Sequence, residues 1–165
     1  MSARKIRIGV MGAGECSADI FSQAEQVGRL IAQRGAILIC GGHGGVMEAA
    51  AKGAKAADGL TVGILPETDD KSANSYIDIP IVTGMGDGRN VINILSSQVI
   101  IAISGGYGTL SEIALALKSR TPVVALCSWS LSSPLRSFSN EPLLYNVAGP
   151  EEAVSQAIEL AKCSR

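Results

Sequence analysis

Aromatic side chains are scarce in this chain. Phe, Tyr and Trp together make 4% of its 165 residues, so the core has to be built from Val, Ile, Leu and Ala. That palette suits a parallel sheet covered by helices with small contact residues. Histidine is nearly absent, with His43 alone. The four cysteines, Cys16, Cys40, Cys127 and Cys163, form no C-x-x-C pair. A metal site made of protein ligands is not expected from this set. Cys40 and Cys127 close apolar runs and are expected to be buried thiols, in keeping with a reducing cytoplasm. Neither sign of charge dominates: 14 Lys and Arg against 15 Asp and Glu give a formal net charge of −1. With no basic run, binding to a nucleic-acid backbone is not expected. No apolar segment approaches the roughly 18–20 residues of a membrane span. The opening Met1-Ser2-Ala3-Arg4-Lys5 lacks the apolar region and cleavage site of a secretory signal.

Glycine, by contrast, is abundant. Its 19 copies cluster in turns and follow no period, which excludes collagen-like and low-complexity readings. The richest cluster, Ser104-Gly105-Gly106-Tyr107-Gly108-Thr109, follows the apolar run 99–103 and precedes the helix-like run 113–118. The same order of strand, glycine turn and helix recurs along the chain. Strands are expected over 6–11, 36–40, 60–65, 77–82, 99–103 and 123–127, with a short one over 143–147. Pro80 cannot donate a ladder hydrogen bond, so the strand 77–82 is expected to be short or irregular. Helices are expected over 18–34, 46–57, 89–97 and 113–118, and from Glu151 onward. Their inward faces are read as Ile20, Ala24, Val27 and Ile31, then Met47, Ala50, Ala51 and Ala54, then Ile92 and Leu95, then Val154, Ala157, Ile158 and Ala161. Ser17 is expected to cap the first helix and Gly35 to end it. Residues 66–76 read as a polar loop and 128–142 as an irregular one. The expected fold is α/β and doubly wound. It has a mainly parallel sheet of six or seven strands with helices on both faces, in one domain over 1–165.

In such a sheet every strand-to-helix turn emerges at one edge. The turns 12–17, 41–45, 84–88 and 104–109 would then line one crevice. Free backbone N–H groups at helix starts suit a phosphate or another anion. The candidate ligand-binding residues are therefore Gly12, Gly14 and Ser17, with Gly41, Gly42, His43, Gly44 and Gly45 in the second turn. Arg89 joins them from the third, and Ser104, Gly105, Gly106, Tyr107, Gly108 and Thr109 from the fourth. The first turn lacks the third glycine of a dinucleotide fingerprint, and the second strand ends in Cys40-Gly41 rather than an acidic residue. Both features argue against a nicotinamide cofactor. Two roles are open to Glu112. Thr109-Leu110-Ser111-Glu112 fits a helix capping box, or the carboxylate is held at the crevice as an acid or base. Arg89 stands in a first helical turn, against the helix dipole, so it pairs either with an anionic ligand or with Asp87 or Glu112. His43 either touches a ligand or is solvated.

The run Gly41-Gly42-x-x-Gly45-Val46-Met47, then Arg89, then Gly105-Gly106-Tyr107-Gly108-Thr109-x-x-Glu112 resembles the Lonely Guy (LOG), or lysine decarboxylase-like, superfamily. Arg89 and Ser104 stand 15 positions apart, as in that family's pattern. The resemblance implies a Rossmann-like fold and a nucleoside 5′-monophosphate site. In the hydrolase branch it implies a phosphoribohydrolase that cleaves the base from AMP-like nucleotides, with Arg89 and Glu112 catalytic. Three positions depart from that branch: Ser104 stands where it carries Pro, Asn90 where it carries Lys, and Gln98 where an Asp is usual. A second branch is similar over more of the chain. The runs Ile8-Gly9-Val10-Met11-Gly12, Lys52-Gly53-Ala54-Lys55, Asp78-Ile79-Pro80-Ile81-Val82-Thr83-Gly84 and Arg89-Asn90-Val91-Ile92-Asn93-Ile94-Leu95-Ser96-Ser97 are similar to molybdenum cofactor carrier proteins. That resemblance implies binding and protection of molybdopterin-molybdate without turnover. It also implies a homo-oligomer, a tetramer built as a dimer of dimers, with molybdoenzymes as acceptors of the cargo. The cargo's phosphate would go to the glycine turns and its oxo-anion to Arg89.

Overall fold

The computed structural model describes residues 4–129 and 143–163. Of the irregular loop expected over 128–142, residues 130–142 lie outside the described residues. The strands are β1 (Arg7–Gly12), β2 (Ile37–Cys40), β3 (Thr61–Leu65), β4 (Ile79–Val82), β5 (Val99–Ile103), β6 (Val123–Leu126) and β7 (Leu144–Val147). The helices are α1 (Ala18–Gln33), α2 (Val46–Lys55), α3 (Arg89–Ser96), α4 (Tyr107–Lys118) and α5 (Pro150–Cys163). A 3₁₀ turn, Gly86–Gly88, leads into α3. All pairings are parallel, in the order β4-β3-β2-β1-β5-β6-β7.

The expected doubly wound sheet is thus borne out with seven strands among the described residues. Central β5 is buried along its whole length. Its Ile100, Ile101 and Ile103 are fully enclosed, and each contributes about 1.5–3 kcal/mol of transfer free energy. Edge strand β4 has four residues and leaves Ile79, Ile81 and Val82 exposed. Pro80 sits in it, as a residue without an N–H must. One sheet face is covered by α1, α2 and α5, whose Ala24, Val27, Ile31, Ala50, Ala54, Val154 and Ala157 share a core with Ile8, Val10 and Ile101. The other face carries α3 and α4, whose Ile94, Ile113 and Ala116 pack on Met11, Ile100 and Ala102. Ser17 caps α1 by accepting from the Ile20 N–H at 3.3 Å, and Gly35 turns the chain out of it with φ +69°.

Three expectations are corrected. Helix α3 is rotated from its expected phase. Leu95 is 67% exposed and Val91 is exposed, whereas Asn93 and Ile94 are buried and Ile92 is half-buried. Helix α4 begins at Tyr107 with Gly106 at its N-cap and no side-chain cap. Thr109 therefore lies inside the helix, 3% exposed, and there is no capping box. Cys127 is exposed, because the chain leaves β6 with φ +48° at that residue and turns its thiol outward; Cys40 is buried as expected.

Candidate ligand-binding site at the strand ends

Sheet order reverses between β1 and β5. The chain leaves β1 toward the α1 face and leaves β5 toward the α4 face, so the turns diverge and open a crevice at the carboxyl ends of these strands. Gly12 ends β1 beside Ile103. The second turn packs on the first: the Val46 N–H donates to the Ala13 carbonyl at 3.0 Å, and Gly44 and Gly45 lie against Gly14. Ser17 is committed to capping α1.

Arg89 reaches into this edge from the start of α3. Its Nη1 donates to the Ile64 carbonyl at the end of β3, at 2.8 Å. The guanidinium lies across Gly41, where any Cβ would collide with it. Neither Asp87 nor Glu112 is its ion-pair partner. Glu112, on α4, is only 7% exposed. Burial pushes its carboxyl up to about 7, against the lowering influence of the Arg89 charge and the nearby Asn93 amide. The Cys40 thiol is pushed up to about 11, chiefly by burial.

Helix α4 starts at the same edge. The first-turn N–H groups of Tyr107, Gly108 and Thr109 precede any intrahelical acceptor and carry the positive end of the helix dipole. Ser104 and Gly105 make the sharp turn before it, with φ of +52° and +108°. Ser104 donates its N–H to the Leu126 carbonyl at 3.1 Å and accepts from the Ser128 hydroxyl at 2.7 Å. Tyr107 is 85% exposed and stacks with Trp129, ring centroids 6.4 Å apart. The indole N–H of Trp129 donates to the Gly106 carbonyl at 3.3 Å.

His43 is neither free nor simply solvated. Its Nε2 lies 3.1 and 3.2 Å from the two Glu67 oxygens and 3.4 Å from the Ser72 hydroxyl. Burial opposes the charge on Glu67, but hydrogen bonds from Ser72 and His43 hold its carboxyl below the usual range. Asn74 donates its amide to the carbonyls of Gly42 and His43, at 3.0 and 2.8 Å. The loop 66–76 is thereby fastened to the second glycine turn. Ser22, Glu25, Gln26 and Arg29 of α1 line a separate surface hollow of about 390 Å³. There Glu25 and Arg29 face each other at 3.7 Å, with none of the glycine turns present.

A family model described as the SLOG cluster4 family matches residues 5–154. The chain belongs to this family. Within the same fold, this SLOG cluster4 chain is similar to the molybdenum cofactor binding protein of Rippkaea orientalis, at 45% identity and a TM-score of 0.87. That match covers 96% of this chain and 99% of the other. The Moco carrier protein of Chlamydomonas reinhardtii is 39% identical with a TM-score of 0.85, covering 97% and 99% of the two chains. The resemblance to carrier proteins is thus borne out over nearly the full length. A Mycobacterium tuberculosis relative, a cytokinin riboside 5′-monophosphate phosphoribohydrolase, is 33% identical over 137 residues, 78% of this chain and 73% of that protein.

The parallel sheet puts the turns expected to meet at one edge. Gln98 lies at the opposite end of the sheet. Its side chain accepts from the Arg7 N–H at 3.0 Å and donates to the Ala161 carbonyl at 3.3 Å. That departure from the hydrolase pattern therefore bears on the fold, not on the crevice. Sequence reasoning missed Trp129, Asn74 and Asn93. Trp129 stands in a serine-rich stretch with no periodicity to mark it. Asn93 was concealed by the apolar residues around it, which drew the inward face of α3 to the wrong side.

Proposed function

We propose that this protein binds the molybdenum cofactor, molybdopterin-molybdate, in the switch-point crevice and holds it without turnover. The observation that favours this over nucleotide hydrolysis is Ser104. It sits at φ +52° and donates its N–H to Leu126. Proline, expected there in the hydrolase branch, is locked near φ −65° and has no N–H to give. The turn before α4 therefore has a shape the hydrolase pattern does not allow. The names of the carrier relatives support the same reading.

The site's chemistry fits such a cargo. A terminal phosphate would take the first-turn N–H groups of α4. An oxo-anion would take those guanidinium donors of Arg89 that Ile64 leaves unused. The stacked Tyr107 and Trp129 offer a flat face beside the phosphate for a pterin. Gly12, Gly14, Gly41, Gly42, Gly44 and Gly45 bring the backbone close, while Ser17 and His43 serve the walls rather than the cargo. The dithiolene brings its own metal ligands, and no group of three His, Cys, Asp or Glu poised for a metal occurs among the described residues.

The test is native mass spectrometry after anaerobic incubation with a mixture of cofactor and AMP. The expected result is a mass gain of one cofactor per chain with AMP intact. Release of adenine and ribose 5-phosphate, with no cofactor retained, would overturn the reading and make Arg89 and Glu112 catalytic.

The carrier would work as a homo-oligomer, a tetramer built as a dimer of dimers, and pass its cargo to molybdoenzymes in the cytoplasm. Helix α3 supports the assembly: Val91, Leu95 and nearby Met85 are large, apolar and exposed together, the kind of patch that partner surfaces cover. Leu95→Asp is expected to reduce the assembly to a smaller species in light scattering while leaving the circular dichroism unchanged. An unaltered mass would place the interface elsewhere.

A further inference from the structure

Asn74 lies in the loop 66–76, and every one of its polar groups is used. Its backbone N–H donates to the Gly42 carbonyl at 2.8 Å, and its own carbonyl accepts from the Ile77 N–H at 3.2 Å. Its Nδ2 donates to the carbonyls of Gly42 and His43, at 3.0 and 2.8 Å. Its Oδ1 accepts from the Tyr76 N–H at 3.1 Å. The bond to Tyr76 alone is a local turn, which Asp or Ser could also make. The two bonds to the glycine turn ask for more. They need an NH₂ group with two hydrogens, which an aspartate in the same place does not have. What calls for asparagine is therefore the second glycine turn, 31 and 32 positions away in sequence.

A planar trans peptide holds its C=O and N–H on opposite sides. The Gly42 and His43 carbonyls are drawn to the loop 66–76, so the N–H groups of His43 and Gly44 point away from it. Gly42 allows this by sitting at φ +80°. The loop leaves β3, and the sheet runs β3-β2-β1, so the opposite side is that of β1 and the crevice. Neither N–H donates to a protein group among the described residues. The His43 ring goes the other way, to Glu67 and Ser72, so its backbone alone is offered to the crevice. The Arg89 guanidinium lies across Gly41 at the start of the same turn. The loop also holds the chain that leads to Arg89. The Gly84 N–H donates to the Glu67 carbonyl at 2.8 Å, and the Gly86 N–H to the Pro66 carbonyl at 3.0 Å.

We infer that Asn74 is a positioning residue: by holding the Gly42 and His43 carbonyls, it aims the His43 and Gly44 N–H groups, with Arg89 beside them, at the oxo-anion of the cargo. This rests on the carrier reading for what the cargo is, while the two N–H groups would take any small oxo-anion. Free N–H groups of successive residues make a concave seat for such a group. Asn74 touches no ligand itself. It acts through the turn, and the loop 66–76 keeps that turn and the start of α3 in one frame.

The test is an NMR titration of the full chain with sodium molybdate at pH 7.5, read at the backbone amides. In the wild type the His43 and Gly44 amide protons should move downfield along one saturation curve. Asn74→Asp keeps an acceptor for Tyr76, removes both donors and sets a charge against two carbonyls. It is expected to weaken that curve by at least about tenfold, while the first-turn amides of α4 behave as in the wild type. Asn74→Ser also keeps an acceptor, has one donor left, and is expected to fall in between. It decides if Asn74→Asp does not fold. His43 and Gly44 amides that stay still in the wild type, or a variant curve equal to the wild type's, would overturn the inference. So would an equal change at the α4 amides, the mark of a general loss of structure. Failure of the carrier reading looks different: molybdate still moves these amides, but the cofactor is not retained in native mass spectrometry.

Discussion

Glu112→Gln is expected to make the protein more stable at pH 8, by about 3 kcal/mol, and to change little at pH 4.5. The carboxyl rises from an ordinary 4.5 to about 7 on folding because burial disfavours its charge. The folded protein therefore binds this proton more tightly than the unfolded chain. Stability contributed here is present below about pH 4.5, falls as pH rises toward 7, and is fully lost above it. Glutamine keeps the shape, has no charge to desolvate, and removes that loss. Asp78 and Glu67 shift the opposite way, held low by Lys55 and Thr61 in one case and by Ser72 and His43 in the other. Their contributions fade in acid, but they are common to both proteins and cancel in the difference. Urea denaturation of both proteins at pH 4.5 and pH 8 measures it. Equal stability at pH 8 would show that the carboxyl is solvated. Under the carrier reading, Glu112→Gln should also keep its cargo at pH 8, whereas a phosphoribohydrolase would lose turnover.

The sheet was legible because its signal is redundant. Run 99–103 is apolar at every position, as a strand buried on both faces must be, and its bounds agree with β5. Glycine turns follow strand after strand, so parallel pairing and a shared edge could be reasoned without any one motif. The capping-box reading of Glu112 failed for a physical reason. A Thr-x-x-Glu spacing is also two residues inside one helix, and the sequence does not say where the helix starts. Gly106 and Tyr107 extend α4 by a turn, which carries Thr109 and Glu112 from a solvated cap into the interior. Helix α3 misled in a related way. A hydrophobic stripe marks a buried face only when water is what the other face meets. Val91 and Leu95 are apolar and exposed, while Asn93 is polar and enclosed, so the pattern was read in the opposite phase. Such inversions of the burial rule occur where a surface has a partner or a buried polar group has a task. Arg89 was half legible. Its placement against the helix dipole pointed to an anionic ligand or to Asp87 or Glu112, whereas the partner the structure shows is the carbonyl of Ile64, 25 positions away in sequence.

Gly105→Ala is expected to weaken phosphate binding by at least about 100-fold, the equivalent of losing one or two charge-assisted hydrogen bonds. Gly105 lies at φ +108°, a conformation that side-chain-bearing residues rarely adopt. A Cβ there would also run into the Thr109 Oγ1 and approach its Cγ2 to 2.8 Å. Thr109 is buried and cannot swing away. The backbone has to give, and it gives at the residues that aim the first N–H groups of α4. The fold itself should survive with a loss of about 1–3 kcal/mol, the usual cost of strained backbone, because β5 and its buried isoleucines lie upstream of the turn. Gly106→Ala is the matching control. Gly106 has φ −98°, and its Cβ would meet open space, so binding should change by less than about threefold. Calorimetric titration of both variants with AMP, alongside thermal melts, separates the two effects. A loss confined to Gly105→Ala assigns the anion to the geometry of the turn. An equal loss at both positions would mean that the ligand requires a bare backbone along the whole approach to α4, and the turn's left-handed shape would then carry no special part of the binding.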